Sequence, residues 1–334
     1  MRTVIISRTD AIGDVVLTLP VAGVLKELYP DARVLFLGRS YTKEVIGASR
    51  HIDGFLDWDE WKKMSPAEAV QAMAATGADT IIHVFPSKPI ARLAQRANIA
   101  VRIGTRNRIY HWWTCNRLVK LSRRHSPLHE AQLNLQLLKP LRAKDLYTLE
   151  EIATYYGLTP LAQLPPEIAA LPDPGRFNLV LHPKSRGSAR EWGLDNFREL
   201  IRLLPQEHFK IFITGTAGEG RMVQSLFTEF PFLTDLTGRL TLGQLISFLS
   251  RADGLVAAST GPLHLAAAAG IHAMGIYPPI RPMHPGRWAP IGPKVRVFVK
   301  EGDCEDCRRS GDCHCVREIP AGMLQDYLRR KGQQ

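Results

Sequence analysis

The sequence predicts an α/β protein of two doubly wound domains, each a parallel sheet with helices on both faces. Short apolar runs alternate with helical stretches along nearly the whole chain, as in βαβ units. The 334 residues exceed the usual size of one domain. Residues 159–176 contain five prolines and little periodicity, so we expect the linker there. The domains are therefore predicted at residues 1–160 and 177–320.

The elements follow the same alternation in both halves of the chain. In the first half, β-rich runs predict strands at residues 2–7, 32–37, 54–58, 80–84 and 100–103. Periodic stretches between and after them predict helices at residues 15–28, 41–49, 66–75, 89–97, 129–138 and 149–156. In the second half, strands are predicted at residues 177–181, 209–214, 255–258 and 273–277. Helices are predicted there at residues 196–204, 220–227, 242–251, 263–269 and 321–330.

Residues 255–270, LVAASTGPLHLAAAAG, form the stretch around which the second half is organised. They indicate a buried strand, a sharp loop and a helix of small residues. Ser259 and Thr260 supply hydroxyls that suit a helix cap, and Gly261 permits an unusual turn. A tight corner of an α/β protein explains most of this pattern, but such a corner has no need of His264. We therefore predict a phosphate or diphosphate site at this helix start.

The charge of the chain is strongly positive, with a formal net charge of +11. Such a surface attracts nucleic acid, anionic lipid headgroups or phosphorylated substrates. Much of the charge lies in residues 102–124, where Arg106 and Arg108 are interleaved with aromatic side chains. These residues suit stacking on bases or sugars or contact with a membrane surface, and a solvated loop is the alternative. No apolar run approaches the roughly 20 residues of a bilayer span, so a cytoplasmic protein is expected.

Four of the five cysteines lie within residues 304–315. Cys304, Cys307, Cys313 and Cys315 are spaced compactly enough for a structural zinc. In a cytosolic protein, metal binding or free thiols are favoured over disulfides. Because Cys313 and Cys315 are closer together than the cysteines of a usual zinc knuckle, free thiols are the alternative.

Three further loops follow predicted strands and carry polar groups, as expected at the carboxyl ends of parallel strands. Residues 10–14 bring Asp10, Gly13 and Asp14 to a helix start, where Asp14 suits a general base and helix capping is the alternative. In residues 182–192, HPKSRGSAREW, three cations suit a diphosphate: Lys184, Arg186 and Arg190. The glycine-rich loop 214–220 lacks the spacing of a P-loop and indicates only a generic nucleotide contact through Thr214 and Gly215.

Together these stretches resemble the ADP-heptose:lipopolysaccharide heptosyltransferases, glycosyltransferase family 9. The resemblance rests on RTDAIGDVVLTLP at 8–20, the loop beginning at His182, DLTGR at 235–239, STGPLHLAAAAG at 259–270 and the cysteine-bearing tail. It implies a GT-B fold, with two Rossmann-like domains facing across a cleft and residues 321–334 crossing back to the first.

The resemblance also implies an activity. It indicates inverting transfer of a heptose or related sugar from an ADP-sugar to a lipopolysaccharide inner-core acceptor or related glycolipid, with no required cofactor. The expected enzyme is cytoplasmic, in peripheral contact with the anionic inner face of the cytoplasmic membrane, and nucleic acid is not an expected partner.

By position in the motifs, Asp14 would take the proton of the acceptor hydroxyl. The acceptor side would include Asp10, Gly13, Arg106 and Arg108. The donor side would include Lys184, Arg186, Arg190, Thr214, Gly215, Thr237, Gly238, Ser259, Thr260, Gly261 and His264. The chain departs from the family pattern twice: Ser259 stands where Asp is usual, and Arg190 where Lys is usual.

Three alternatives remain open from the sequence. A nucleotide-sugar epimerase would use the same architecture. A non-catalytic binder of anionic glycolipid or nucleic acid would explain the charge. Because of Ser259, an inactive member of the family is the third.

Overall fold

The computed structural model describes residues 2–124, 126–160, 162–281, 283–302, 304 and 313–332. The chain divides into two compact units, Met1–Thr159 and Pro160–Gln334. The division falls at the start of the proline-containing segment, and the rest of that segment belongs to the second unit. Part of it folds into a short helix, Pro166–Ala169, because two prolines occupy the helix start, where no amide donor is lost.

The first unit contains a six-stranded parallel sheet. Its strands are β1 (Thr3–Ser7), β2 (Arg33–Gly38), β3 (Gly54–Asp57), β4 (Thr80–His83), β5 (Val101–Thr105) and β6 (Arg117–Val119). Their order is β3-β2-β1-β4-β5-β6. Val4 lies opposite Val34 on one side of β1 and opposite Thr80 on the other. This order is that of a doubly wound sheet, in which the strand order reverses between β1 and β4.

Helices connect these strands and cover the sheet. They are α1 (Ile12–Val16), α2 (Leu19–Leu28), α3 (Lys43–Gly47), α4 (Trp58–Trp61), α5 (Pro66–Ala75), α6 (Lys88–Arg96), α7 (His111–Thr114), α8 (Glu130–Leu135) and α9 (Leu149–Thr154). Short 3₁₀ helices cover Ser40–Thr42 and Gln136–Leu141. The core on one side of the sheet includes Ile5, Leu37, Ile81 and Leu93. The alternation predicted from the sequence is therefore present.

The second unit repeats the architecture with strands β7 (Phe177–His182), β8 (Phe209–Ile213), β9 (Thr234–Asp235), β10 (Gly254–Ala258), β11 (His272–Tyr277) and β12 (Val295–Val299). All pairs are parallel, in the order β12-β11-β10-β7-β8-β9. The reversal here lies between β7 and β10. The two sheets thus have the same strand order, which explains the repetition seen along the sequence.

The helices of the second unit are α10 (Pro166–Ala169), α11 (Leu194–Leu203), α12 (Ala217–Met222), α13 (Gln224–Glu229), α14 (Leu242–Leu249), α15 (Gly261–Ala268), α16 (Pro285–Trp288), α17 (His314–Arg317) and α18 (Ala321–Gly332). The resemblance implies that residues 321–334 cross back to the first domain. The structure packs α18 against α11 and buries Leu324 and Leu328 in the core of the second unit. None of the helices in the described ranges is both long and apolar enough to span a bilayer.

Candidate functional site

The switch point of the first sheet is formed by the carboxyl ends of β1 and β4. Ser7 pairs with His83 at the last position of these strands. Ligands of doubly wound sheets bind outside the carboxyl ends of the strands where the order reverses. The chain leaves β1 into Arg8 and reaches α1 four residues later, so Asp14 lies in the first turn of that helix.

Arg8 organises the acidic groups at this point. Its guanidinium is 3% exposed and donates hydrogen bonds to Asp10 at 2.7 Å and to Glu130 at 3.2 Å, and it forms an ion pair with Asp14. The N-cap of α1 is Ala11, and no side chain caps the helix. The helix-capping alternative for Asp10 and Asp14 is therefore wrong, because both carboxylates bind the buried arginine instead.

The carboxyl group of Asp14 titrates well above its ordinary range. Burial raises the pKa of Asp14 to about 6, and the neighbouring Arg8 lowers it only partly. The charges of Asp10 and Glu130 also raise this pKa, because each disfavours a second negative charge nearby. Asp14 is therefore mostly ionised at neutral pH and is a stronger base than an ordinary carboxylate.

A second arginine shares the buried Glu130. Arg123 forms an ion pair with Glu130 and donates to Asn134 Oδ1 at 3.1 Å and to the carbonyl of Val84 at 2.9 Å. Asn134 in turn donates to the carbonyl of Leu17 at 3.1 Å. The network joins α8 to the end of β4 and to the turn after α1. Its effect is to fix Arg8, and through Arg8 the carboxylate of Asp14.

Two buried imidazoles lie beside the same switch point. The ring centroids of His83 and His111 are 5.6 Å apart, and both side chains are fully buried. Both ring nitrogens of His83, Nε2 of His111 and Oγ of Ser7 have no hydrogen-bond partner within the described chain. Burial and the charge of neighbouring groups lower the pKa of His83 to about 3, so its ring is neutral. These groups were not among the site residues predicted from the sequence.

The other predicted acceptor residues lie nearby in the fold. Gly13 is in α1 beside Asp14. Arg106 and Arg108 are exposed on the loop that follows β5. Because the strands are parallel, this loop leaves the same edge of the sheet as Arg8.

In the second unit, predicted donor residues gather at the carboxyl ends of neighbouring strands. His182 ends β7, and its Nδ1 lies 3.1 Å from Oγ1 of Thr214, which follows β8. Gly215 accepts a hydrogen bond from the amide of Gly238, at 2.8 Å, which joins the loops after β8 and β9.

Gly238 is required for this close approach. Its φ is +68°, and an added Cβ would lie 2.7 Å from Cβ of Ala217. Thr237 is held beside it by two hydrogen bonds to Asp235, at 2.8 Å from the amide and 2.7 Å from the hydroxyl. These contacts bring Thr214, Gly215, Thr237 and Gly238 together.

The cationic loop after β7 is partly neutralised within itself. Lys184 forms an ion pair with Glu191, which also accepts from the amide of Ser185 at 2.9 Å. Arg186 is exposed and has a φ of +51°, and Arg190 is half-buried. Of the three cations predicted to hold a diphosphate, Lys184 is therefore compensated by Glu191, which was not among the predicted residues.

The predicted anion site at residues 255–270 is present as β10, a two-residue corner and α15. Thr260 is the N-cap of α15, but its side chain does not cap the helix. Its hydroxyl is buried and has no hydrogen-bond partner in the part of the chain that the structure describes. Tyr277 ends β11, the strand beside β10, and its hydroxyl donates to the carbonyl of Trp288 at 2.7 Å. Gly261 and His264 lie in the first turn of α15, and His264 is buried.

The cysteine cluster is only partly described. Cys313 and Cys315 are buried and Cys304 is partly buried, whereas Cys307 lies outside the described residues. Across the described ranges, no three His, Cys, Asp or Glu side chains are grouped so that they could hold a metal ion. The structural zinc predicted from the spacing remains a prediction.

Comparison with known proteins gives a consistent result. The family model described as glycosyltransferase family 9 (heptosyltransferase) matches residues 68–315. A putative glycosyltransferase of Haemophilus influenzae is 26% identical over 301 residues, 87% of this chain and 86% of that protein. Lipopolysaccharide heptosyltransferase 3 of Escherichia coli is 25% identical over 276 residues, 77% of this chain and 76% of that protein.

A solved structure shows the same fold. The structure of E. coli ADP-heptose lipopolysaccharide heptosyltransferase II covers 100% of this chain and 99% of that chain, with a TM-score of 0.76 at 17% identity. At this identity the likeness concerns the fold, and it confirms the predicted GT-B class. The residues matched by the family model include every predicted donor residue but begin after Asp14, whose assignment therefore rests on its motif and its surroundings.

Proposed function

Because the chain belongs to glycosyltransferase family 9, the heptosyltransferase family, we propose that it transfers a heptose from ADP-heptose to a lipopolysaccharide inner-core sugar. The predicted enzyme class, a glycosyltransferase, is confirmed by this membership. Donor and acceptor are proposed from the relatives: one is named for lipopolysaccharide and another for ADP-heptose. The main observation behind the proposed mechanism is the carboxyl group of Asp14, which is paired with Arg8 at the switch point of the first sheet.

Asp14 acts as the general base of the proposed reaction. Its carboxylate takes the proton of the acceptor hydroxyl while that oxygen attacks the anomeric carbon of the donor sugar. The bond from this carbon to the diphosphate oxygen breaks on the opposite face, so the configuration inverts. The pKa of about 6 suits this step, because the group is ionised at neutral pH and still accepts a proton readily. Arg8 is the positioning residue that orients the carboxylate.

The leaving ADP is stabilised in the second unit. Negative charge grows on the diphosphate as the sugar departs, and cations and amide donors meet that charge. We assign this role to Arg186, Arg190 and the first turn of α15. Lys184 would contribute as well once its ion pair with Glu191 is broken by the bound diphosphate. The buried hydroxyl of Thr260 is a donor without a partner among the described residues and suits a phosphate oxygen.

The residue at position 259 fits an active enzyme. Ser259 replaces the usual Asp at the corner between β10 and α15, away from the proposed base in the chain. The base Asp14 and its network are intact, so we propose an active transferase over an inactive relative. No metal takes part in the proposed reaction, and a zinc at the four cysteines would be structural.

A donor screen followed by a transfer assay tests the proposal. Stabilisation of the folded protein by nucleotides should rank ADP above UDP and GDP, because a ligand that binds the folded state raises the melting temperature. Purified protein should then convert ADP-heptose and a heptose-deficient core acceptor to ADP and an extended core. Preference for UDP or GDP, or isomerisation of the sugar without acceptor, would overturn it.

A further inference from the structure

The positive charge of this protein is concentrated in one segment of the first unit. Residues 80–129 contain ten Lys and Arg residues and no Asp or Glu. The whole chain has a formal net charge of +11, so this segment accounts for nearly all of it, and of its cations Arg123 is paired with Glu130 just beyond the segment. Solubility alone would be served by mixed, scattered charge, and a stretch of this length without an acidic residue indicates an anionic partner.

The same segment carries the three most exposed large hydrophobic side chains of the described residues. Ile109 is 73% exposed, Trp113 68% and Trp112 58%. They lie on α7 and on the residue pair before it, next to the exposed cations Arg106 and Arg108. Exposed aromatic and aliphatic groups bordered by arginine are typical of surfaces that enter the interfacial layer of a bilayer.

The hydrophobic side chains are held on a fixed turn. The indole nitrogen of Trp112 donates to the carbonyl of Arg106 at 3.0 Å, and Gln95 of α6 donates to the carbonyl of Trp113 at 2.7 Å. His111 is buried beneath them. The exposed rings are therefore presented by an ordered part of the fold.

We propose that Ile109, Trp112 and Trp113 insert into the headgroup region of an anionic membrane, with cations of α6 and the β5–α7 loop contacting the lipid phosphates. The apolar aliphatic Ile109 favours lipid over nucleic acid, because it offers nothing to stack on a base. The turn follows β5, at the same edge of the sheet as Asp14. Membrane binding would thus bring the proposed base to a lipid-borne acceptor. The inference extends the proposed function, but its test is a binding measurement that needs no sugar transfer.

Vesicle flotation of the full chain tests the proposal. The protein should float with vesicles that contain phosphatidylglycerol and stay behind with pure phosphatidylcholine. Ile109→Ser with Trp113→Ala should weaken vesicle binding at least tenfold. Trp112 is kept because its indole nitrogen donates to a backbone carbonyl.

A second double variant tests the cations. Arg92→Gln with Arg96→Gln, on the exposed face of α6, should weaken vesicle binding and reduce the salt dependence of that binding. The matched control is Met222→Ser with Met323→Ser, two exposed methionines of the second unit, which should bind like the unchanged protein.

Further readouts separate the possible outcomes. Melting temperatures within a few degrees of the parent exclude unfolding, and transfer to a water-soluble core acceptor by Ile109→Ser with Trp113→Ala should be unchanged. Equal binding to both kinds of vesicle, or anionic binding that survives the Ile109 and Trp113 changes, would overturn the proposal. The proposal would also be overturned if Ile109→Ser with Trp113→Ala abolished binding of an oligonucleotide, or dissociated a dimer, while flotation with vesicles was unaffected. Loss of transfer with intact flotation would instead count against the proposed function.

Discussion

Arg8 forms an ion pair with Asp14, and the pKa of Asp14 is nevertheless raised to about 6. An arginine contact alone would lower the pKa of a carboxyl group. Burial outweighs it here, since Arg8 also divides its hydrogen bonds among Asp10 and Glu130. The arrangement keeps a carboxylate charged at neutral pH and able to accept a proton.

Replacing Asp14 with Asn should abolish transfer while leaving donor binding intact. Loss of a general base typically costs between a hundredfold and ten-thousandfold, so we expect turnover to fall about a thousandfold. The dissociation constant of ADP, measured by calorimetry, should change less than about twofold. Asp195→Asn is the matched control, because Asp195 is almost fully exposed and pairs only at the surface with Arg198. Turnover within a few fold of normal in the Asp14 variant would remove it as the base.

The pH profile of kcat/KM should report the raised pKa of Asp14. The proton acceptor is the ionised form, so activity should be constant above about pH 7 and fall about tenfold per pH unit below a midpoint near 6. Initial rates at subsaturating acceptor, with saturating ADP-heptose, measure this limb. A midpoint near pH 4 would mean that a carboxyl group with an ordinary pKa, rather than the buried Asp14, takes the proton of the acceptor hydroxyl.

Exchanging Arg8 for Gln should destabilise the first unit strongly. The change removes the ion pairs of Arg8 with Asp10 and Asp14. Glu130 then keeps its ion pair with Arg123. Removing one member of a buried ion-pair network typically costs about 3–5 kcal/mol. Urea unfolding measures the loss, with Lys63→Gln as the control, because Lys63 pairs with Glu60 at an exposed position and a surface pair is worth about 1 kcal/mol or less. Equal losses in the free energy of unfolding of the two variants would show that the Arg8 network stabilises the fold no more than a surface ion pair does.

The buried His83 should make the protein sensitive to mild acid. Its folded-state pKa of about 3 lies below the unfolded value of 6.5, so the unfolded chain takes up a proton first as pH falls. Its contribution to stability is complete above pH 6.5 and falls by about 1.4 kcal/mol per unit below it. His83→Gln should remove this slope, a difference of about 2 kcal/mol between about pH 7.5 and about pH 5.

The raised pKa of Asp14 acts in the opposite direction, because there the folded state holds the proton more tightly as pH falls. Only the difference between parent and variant therefore isolates His83. His208→Gln, at an exposed position, is the control. Parallel stability curves for parent and His83→Gln would contradict the assignment.

Local patterns made most of the fold predictable. Strands such as β1 and β10 are continuous buried apolar runs followed by a polar loop and a helix, and each of these signals lies within a few residues. Strands β6, β9 and β12 were missed. β6 has three residues and an exposed arginine, β9 has two residues, and β12 alternates like an edge strand and follows a proline-containing loop. Such edge elements owe their form to the neighbouring strand rather than to their own sequence.

The candidate site was predictable only where its parts are close in sequence. Asp14 and the loop after β7 were identified because a glycine or a group of cations follows a strand. Glu130 lies 122 residues from Arg8, and nothing in its own helix distinguishes it from a surface residue. His83 ends a strand like any other residue, and its role depends on burial beside His111. These groups come together only through tertiary packing.

Exchanging Thr260 for Val should stabilise the protein and weaken donor binding. The two side chains have nearly the same shape. The Thr260 hydroxyl is buried, has no partner in the described ranges of the chain and does not cap α15. Removing an unsatisfied buried hydroxyl relieves a desolvation cost, so we expect a gain of about 1 kcal/mol in urea unfolding. If this hydroxyl donates to the donor diphosphate, the affinity for ADP should fall about fivefold. Thr214→Val is the matched control, because it breaks the contact with His182 and should lower stability instead. A Thr260 variant that loses stability, or binds ADP as tightly as the parent, would show that the hydroxyl serves the fold and not the ligand.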